Sequence, residues 1–367
     1  MYAILPIYFN EIGLLPIQVG LILSINRWIR LLTNHIAERT IVRHNMTILL
    51  TAALLLGSLI TLTYATYSLF AVLLIARMLW GLCWSFLRQI GMMTAVHNAP
   101  EKNIAQVMGY YHGLVRIGSV SGLLFGGILF DLIGFDSAFL ILGIVSITGI
   151  PLGSVSQKGL KQQKRSSYSD SEHDGSSHIR GLLVCGFVLG CVGSGLIMAT
   201  LGAILKHSVG SSISIGAVLI GVATLNGLLL GGRWILESLC APLFGALNDR
   251  IGRYLATFIF FIIGTISLFA CGAVSNILAL SFLILIFFLS GTSLTAGIAA
   301  EAGRRGPKTI ALYASAMDLG AAVGPIISWT IIEFVFSPDI VFTIGGAFYL
   351  IATIISWFSL QKKGAYY

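Results

Sequence analysis

The sequence predicts an all-α membrane protein. It expects twelve transmembrane helices in two similar six-helix halves, with the first helix shortened. Three observations carry that prediction. The first is scarcity of charge: Asp, Glu, Lys and Arg make up 10% of 367 residues and hydrophobic side chains 56%. A soluble domain carries about 25% charged residues, so this chain cannot cover itself for water. The second is that the apolar residues fall in uncharged runs close to the roughly 20 residues that cross a bilayer. The third is an internal repeat. The mean hydropathy of +0.92 agrees. The charge deficit excludes a soluble enzyme, a nucleic-acid binder and a secreted scaffold, and the formal net charge of +8 is no nucleic-acid signal because it is dispersed rather than gathered on one face.

The spans follow in order. The chain opens inside a hydrophobic run, giving a first span of only 2–15, with no charged leader or cleavage site. It reads as clipped at this helix. The others are expected at 17–37, 46–64, 69–96, 104–132, 139–153, 181–205, 219–247, 254–274, 277–296, 310–334 and 341–360. The run between Arg253 and Glu301 has no charge and holds two of them, turning near Ser275 and Asn276. The 42 glycines suit membrane helices, where small residues let backbones approach. Strict alternation, the mark of a membrane β-barrel, is absent. The organisation expected is a half over 1–153, a polar linker over 154–180 and a half over 181–367.

Basic residues set the orientation. Assigning even-numbered connections and the C-terminus to one side places fifteen Lys and Arg there, against Lys206 alone on the other. That is a positive-inside pattern, so both termini are expected in the cytoplasm, in the inner membrane of a cell. The sequon at Asn45 falls on the cytoplasmic side and is discounted. The five cysteines lie in apolar spans without metal-ligand spacing, so neither a metal nor a cofactor is expected.

The repeat is read by offset. Gly118, Gly122, Gly126 and Gly127 of the fifth span match Gly320, Gly324, Ser328 and Trp329 of the eleventh at an offset of 202, with Pro325 beside Gly324. The same offset pairs Arg116 with Asp318 and Asp131 with Glu333. Near the ends of spans two and eight, Asn34-x-x-x-Glu38-Arg39 matches Gly245-x-x-x-Asp249-Arg250. Repeated six-helix halves joined by a polar linker are a transporter signature.

On these residues the chain resembles the major facilitator superfamily. Gly245, Asp249, Arg250, Gly252 and Arg253 resemble its loop motif in full; Glu38 and Arg39 keep part of the first-half copy. Arg77-x-x-x-Gly81 resembles the arginine motif of the fourth helix. The glycines of span five resemble the antiporter motif, with Leu123 where a proline is expected. The resemblance implies a monomeric transporter working by alternating access. In it, the loop motif latches one conformation, and spans two and eleven, and five and eight, meet across the halves. Gly245 is expected to allow a tight approach at a helix end, and the glycines of span five to line one closely packed face.

Buried charge supplies the candidate site. Arg27, Arg30, Arg77, Arg88, Arg116 and Arg233 fall inside spans, and Glu237 and Asp318 are the only acids there away from a span end. A central Arg facing lipid costs about 2.5–3.5 kcal/mol, so these side chains need a wet cavity, a partner or an interface; Arg88 lies close enough to an end to snorkel. The expected partnerships are Arg27 or Arg30 with Asp318, and Arg116 with Glu237. A local Arg233–Glu237 pair is the rival. Surplus positive charge favours an anionic or amphiphilic solute, and the two acids are the places for a coupling proton. His112 joins the candidates as a titratable neighbour of Arg116. Trp80, Trp84 and Trp234 either line the cavity or simply pack. Lipid is the surrounding partner; nucleic acid is not one. The alternatives are a transport-inactive sensor or scaffold derived from such a transporter, and a membrane-embedded enzyme, for which no nucleophile cluster is seen.

Overall fold

The computed structural model describes residues 1–98, 104–157, 176–215, 218–304, 307–335, 337 and 339–364. The chain is a bundle of long helices: α1 (Leu5–Tyr8), α2 (Pro16–Arg43), α3 (Met46–Thr66), α4 (Phe70–His97), α5 (Ile104–Ile133), α6 (Phe135–Ile147) and α7 (Gly149–Ser156). After the linker, most of which lies outside the described residues, come α8 (Ser176–Leu189), a π-helical stretch (Gly190–Ile197), α9 (Met198–Val209) and a two-stranded hairpin of β1 (Ser212–Ile215) and β2 (Val218–Gly221). α10 (Val222–Ile251), α11 (Arg253–Ala273), α12 (Ile277–Arg304), α13 (Pro307–Val335) and α14 (Ile340–Gly364) complete it.

Helical segments occupy all twelve expected spans, but with corrections. The first is a four-residue helix followed by turns. Asn10, Glu11 and Gly13 follow it, and Gly13 takes φ +71°. The stub is nonetheless packed, with Ala3, Ile4, Leu5 and Ile7 all buried. Among the described residues nine helices are long and apolar enough to cross a membrane, or ten when the pair 222–241 and 243–251, bent by 53°, is counted as one span. α2 carries Arg27, Arg30, Glu38, Arg39 and Arg43, which holds its mean hydropathy down. Span seven is one continuous crossing over Ile179–Val209, with a π-helical stretch inside it, and the hairpin after it was not expected.

Local chemistry sets the ends. Gln18 Oε1 accepts from the Leu15 amide at 3.0 Å at the start of α2, and Pro16 fits there because its missing N–H has no helical partner. Asn45 caps α3, its Oδ1 accepting from the amides of Thr47 (2.8 Å) and Ile48 (3.4 Å). Gly252, at φ +88°, turns the chain from α10 into α11. Within the first half α2 packs on α4 and α3 on α6; within the second, α11 packs on α12 and α14. Between halves, α2 lies against α13 and α5 against α10.

Candidate functional site

The midpoints of α2, α5, α10 and α13 bring the buried charges together in two pairs that cross between halves. Arg30 of α2 meets Asp318 of α13 at 3.2 Å. Arg116 of α5 meets Glu237 of α10 at 3.4 Å and also donates to Ser238 Oγ at 3.2 Å. The Arg30–Asp318 side chains retain 16% and 31% of their exposure, so the pair is neither dry nor fully solvated. Arg233 forms no ion pair with Glu237 in the same helix. It turns to the π-helical stretch, donating to Gly193 O (3.4 Å) and Ser194 Oγ (3.3 Å), with its guanidinium 4.9 Å from the Phe288 ring centre and 5.4 Å from that of Trp234. Arg27 reaches the same stretch, its Nη2 donating to Ser194 O at 3.1 Å.

Arg77 is the most enclosed of these cations, at 5% exposure. Its Nε donates to the Ile22 carbonyl of α2 at 3.3 Å. Arg27 and Arg77 each lie 5.8 Å from the ring centre of Tyr2, whose hydroxyl donates to Leu23 O at 2.9 Å. Trp80 packs over Gly57 of α3, and Trp234 lies near both Arg116 and Arg233. Arg88 is exposed. The side chain of His112 lies outside the described residues.

The glycine faces differ from the expectation. A methyl group at Gly118 or Gly122 would meet open space, and one at Gly126 would make only ordinary contact with Ile4 and Leu142. Gly127 alone in that set lies against a backbone, that of Ala223 in α10. In α13 the closeness is real: Gly320 sits on Phe187 and Cys191, and Gly324 on Cys191 and Gly195. Pro325 lies inside α13, and its carbonyl faces Gly20 of α2. A tight glycine seam thus runs between span seven and α13, while on α5 the close backbone approach to α10 falls at Gly127 and at Leu123, which Gly227 of α10 meets, and not at Gly118 or Gly122.

At one end of the bundle lies the loop motif. Asp249 and Arg253 form an ion pair at 2.9 Å across the α10–α11 turn, and Arg250 is exposed. Gly245 meets no neighbour, so the expected tight approach there is absent; the glycine that the geometry requires is Gly252. Asn248, which the motif spacing does not single out, is buried and exchanges hydrogen bonds with Ser293 of α12. Glu38 and Arg39 are exposed at the end of α2. A cleft beside the motif is lined by Arg253, Tyr254, Thr257 and Glu301, and Tyr254 donates to Glu301 at 2.9 Å.

At the opposite end three polar contacts tie the halves. Asp131, at the end of α5, accepts from Thr224 N and Thr224 Oγ1, both at 2.6 Å, and from Ala223 N at 3.3 Å, in the first turn of α10. Glu333, at the end of α13, accepts from Ile17 N at 3.0 Å in the first turn of α2. Lys206 of α9 pairs with Glu11 at 3.0 Å and donates to Ile7 O at 2.7 Å. The first turn of a helix has amide donors without helical acceptors and favours negative charge. Sequence reading aligned Asp131 with Glu333 but gave neither a role; it missed Ser194, whose setting in a glycine-rich run, Gly190-Cys-Val-Gly-Ser194-Gly195, was the available signal. Among the described residues no group of three or more His, Cys, Asp or Glu is placed to hold a metal.

Comparison with known proteins gives a consistent picture. The family profile described as Major Facilitator Superfamily matches residues 1–234. The fold is similar to a crystal structure of a bacterial homolog of the human lysosomal transporter Spinster in an inward-facing, occupied conformation: TM-score 0.81 at 14% identity, covering 98% of this chain and 92% of that one. The inward-facing, unoccupied structure of such a homolog gives TM-score 0.74 at 14% identity, covering 97% and 94%. No curated protein matches the sequence.

Proposed function

This chain belongs to the major facilitator superfamily, and on that premise we propose that it moves a small anionic solute across a membrane by alternating access, coupled to protons. It is a multi-pass membrane transporter by family; solute, coupling and mechanism are our reading. The observation that carries it is the pair of ion bridges, Arg30–Asp318 and Arg116–Glu237, each joining the middle of one half to the middle of the other. If the halves rock about a midplane site, these bridges must rearrange. Protonating either carboxylate removes its charge and weakens its hold on the opposing arginine. Proton binding and separation of the halves are then one event.

The closed end supports an inward-facing state. Asp131, Glu333 and Lys206 tie the halves at the end away from the loop motif. The fold's similarity to inward-facing structures points the same way. We assign the loop-motif end to the cytoplasm of an inner membrane, with both termini there, on the charge asymmetry of the connections. The Asp249–Arg253 pair acts within the latch, with Gly245, Arg250, Gly252, Glu38 and Arg39 around it. The halves are taken as 1–153 and 181–367, joined by 154–180.

With exposed Arg88 set aside, five arginines against Glu237 and Asp318 leave the interior positive, which favours anions. The experiment is counterflow in proteoliposomes with carboxylate and phosphate compounds under an imposed pH gradient. We expect solute-dependent flux that collapses when the gradient is removed. An intact fold with no flux for any solute class supports the sensor or scaffold instead; flux restricted to organic cations overturns the anionic assignment.

A further inference from the structure

Two of the interior arginines differ from the rest in what holds them. Arg30 and Arg116 each have a carboxylate from the opposite half. Arg27 and Arg233 have none within ion-pair distance among the described residues. They come from opposite halves, α2 and α10, and converge on one residue of span seven: Arg27 on the Ser194 carbonyl, Arg233 on the Ser194 hydroxyl and the Gly193 carbonyl. Their other direct contacts are neutral, namely the rings of Tyr2, Trp234 and Phe288 and the sulfur of Met198 at 3.9 Å; the charged groups around them stand farther off, Arg30 and Arg77 near Arg27, and Glu237 one turn along α10 from Arg233 and bound to Arg116.

Two positive charges therefore meet at a single serine, held there by dipoles and with no carboxylate in direct contact with either. Carbonyl and hydroxyl oxygens satisfy N–H donors, yet they do not neutralise a cation in a weakly polarisable interior, where each costs about 2.5–3.5 kcal/mol at the centre of a bilayer. The serine sits in a π-helical stretch, a widened turn that recurs at functional sites. Each guanidinium presents a planar fork of donors, matched in geometry to the oxygens of a phosphoryl or carboxylate group. Two forks facing one point suit a group with at least three acceptor oxygens and two negative charges.

We infer that Arg27 and Arg233 form a two-arginine site for a dianionic phosphoryl group, with Ser194 holding the place of that group when the site is empty. The inference rests on the anionic reading above and sharpens it to the phosphomonoester class. The phosphoryl oxygens replace the Ser194 and Gly193 acceptors, and the surrounding rings receive the body of the ligand. Because the arginines belong to opposite halves, the bound dianion bridges them without a permanent carboxylate. The phosphoryl group could belong to a free organic phosphate or to a lipid headgroup.

The test uses the full chain in phosphatidylcholine nanodiscs. Binding is titrated with inorganic phosphate, a soluble phosphomonoester, a monocarboxylate and a tetraalkylammonium ion, and thermal stability is compared in discs with and without phosphatidic acid. The phosphomonoester is expected to bind more tightly than the monocarboxylate. Arg27→Gln and Arg233→Gln should each weaken it about 30-fold or more, the usual effect of truncating one partner of an enclosed charge pair. Arg88→Gln should leave it unchanged. An arginine-dependent stabilisation by phosphatidic acid alone assigns the same site to a lipid. Ser194→Asp supplies the missing counter-charge, so it should raise Tm and abolish phosphoryl binding; a lowered Tm overturns the uncompensated-charge argument. Phosphoryl binding that survives both arginine changes overturns the site and leaves the anionic reading standing. A preference for the monocarboxylate overturns the dianionic class alone. Binding of the ammonium ion only overturns both readings.

Discussion

Asp131 and Glu333, 202 residues apart, do the same thing in opposite halves: each carboxylate closes the first turn of a helix that belongs to the other half. Asp131 serves α10 and Glu333 serves α2. The relationship is pseudo-symmetric, because the offset between them is the one that aligns the glycines of α5 and α13. A carboxylate at such a turn contributes about 0.5–2 kcal/mol. Together the two act as clasps on one end of the bundle.

Removing a clasp should loosen one turn and not the rest. In Asp131→Ala the amides of Ala223 and Thr224 are expected to exchange with deuterium about tenfold faster, the equivalent of about 1.4 kcal/mol. Glu333→Ala should do the same to Ile17 and leave Ala223 alone. Hydrogen exchange read by mass spectrometry resolves the two. If both sets of amides accelerate equally in either variant, the carboxylates are not local clasps.

Much of this architecture was legible in the sequence, and the exceptions are instructive. Long apolar runs located the membrane-length helices, since bilayer thickness fixes helix length. The pairing of Arg30 with Asp318 was open between Arg27 and Arg30, because residues three apart share a helix face. Composition cannot say which of two neighbours reaches across. The π-helical stretch was not legible, because an extra residue in one turn leaves no mark on an apolar pattern. The glycine repeat was legible, but its use was not: Gly118 and Gly122 face open space while Gly320 and Gly324 touch a backbone. Close packing depends on the neighbour, and one chain segment does not contain its neighbour.

The inter-half bridges predict a double-mutant result. Arg30→Ala and Asp318→Ala should each lower stability and flux, and the two together should cost less than their sum. Contacting residues of this kind couple by about 0.5–3 kcal/mol. Exchanging the charges, Arg30→Asp with Asp318→Arg, should recover part of the stability. Asp318→Asn retains shape but cannot release a proton, so pH-driven uptake should vanish while solute exchange without a gradient survives. Thermal unfolding and proteoliposome flux measure the two effects separately; full pH-driven uptake in Asp318→Asn removes Asp318 from the coupling.

The two glycine sets predict opposite tolerance. Gly118→Ala should be neutral or slightly stabilising, since the methyl enters open space and alanine favours helix. Gly320→Ala drives the methyl into the backbone at Phe187 and Cys191, and overpacking of this sort costs about 1–3 kcal/mol. The midpoint of thermal unfolding in detergent compares them directly. A stable Gly320→Ala protein with unchanged Tm would mean that span seven and α13 do not pack as described.

Within the loop motif the same comparison separates two glycines that the motif treats alike. Gly252 takes φ +88° with ψ 130°, a conformation that costs a residue with a side chain about 1–3 kcal/mol. Gly245 lies in α10 with nothing near it. Gly252→Ala should therefore lower Tm and disturb the Asp249–Arg253 pair, which spans that turn at 2.9 Å. Gly245→Ala should leave Tm unchanged or raise it. The latch adds a second readout. If Gly245 matters only when the halves close at this end, Gly245→Ala will keep its stability yet slow transport, because a methyl that is harmless in the open state obstructs the closed one. Loss of stability in Gly245→Ala, or normal flux in it, argues against a latch that uses this residue.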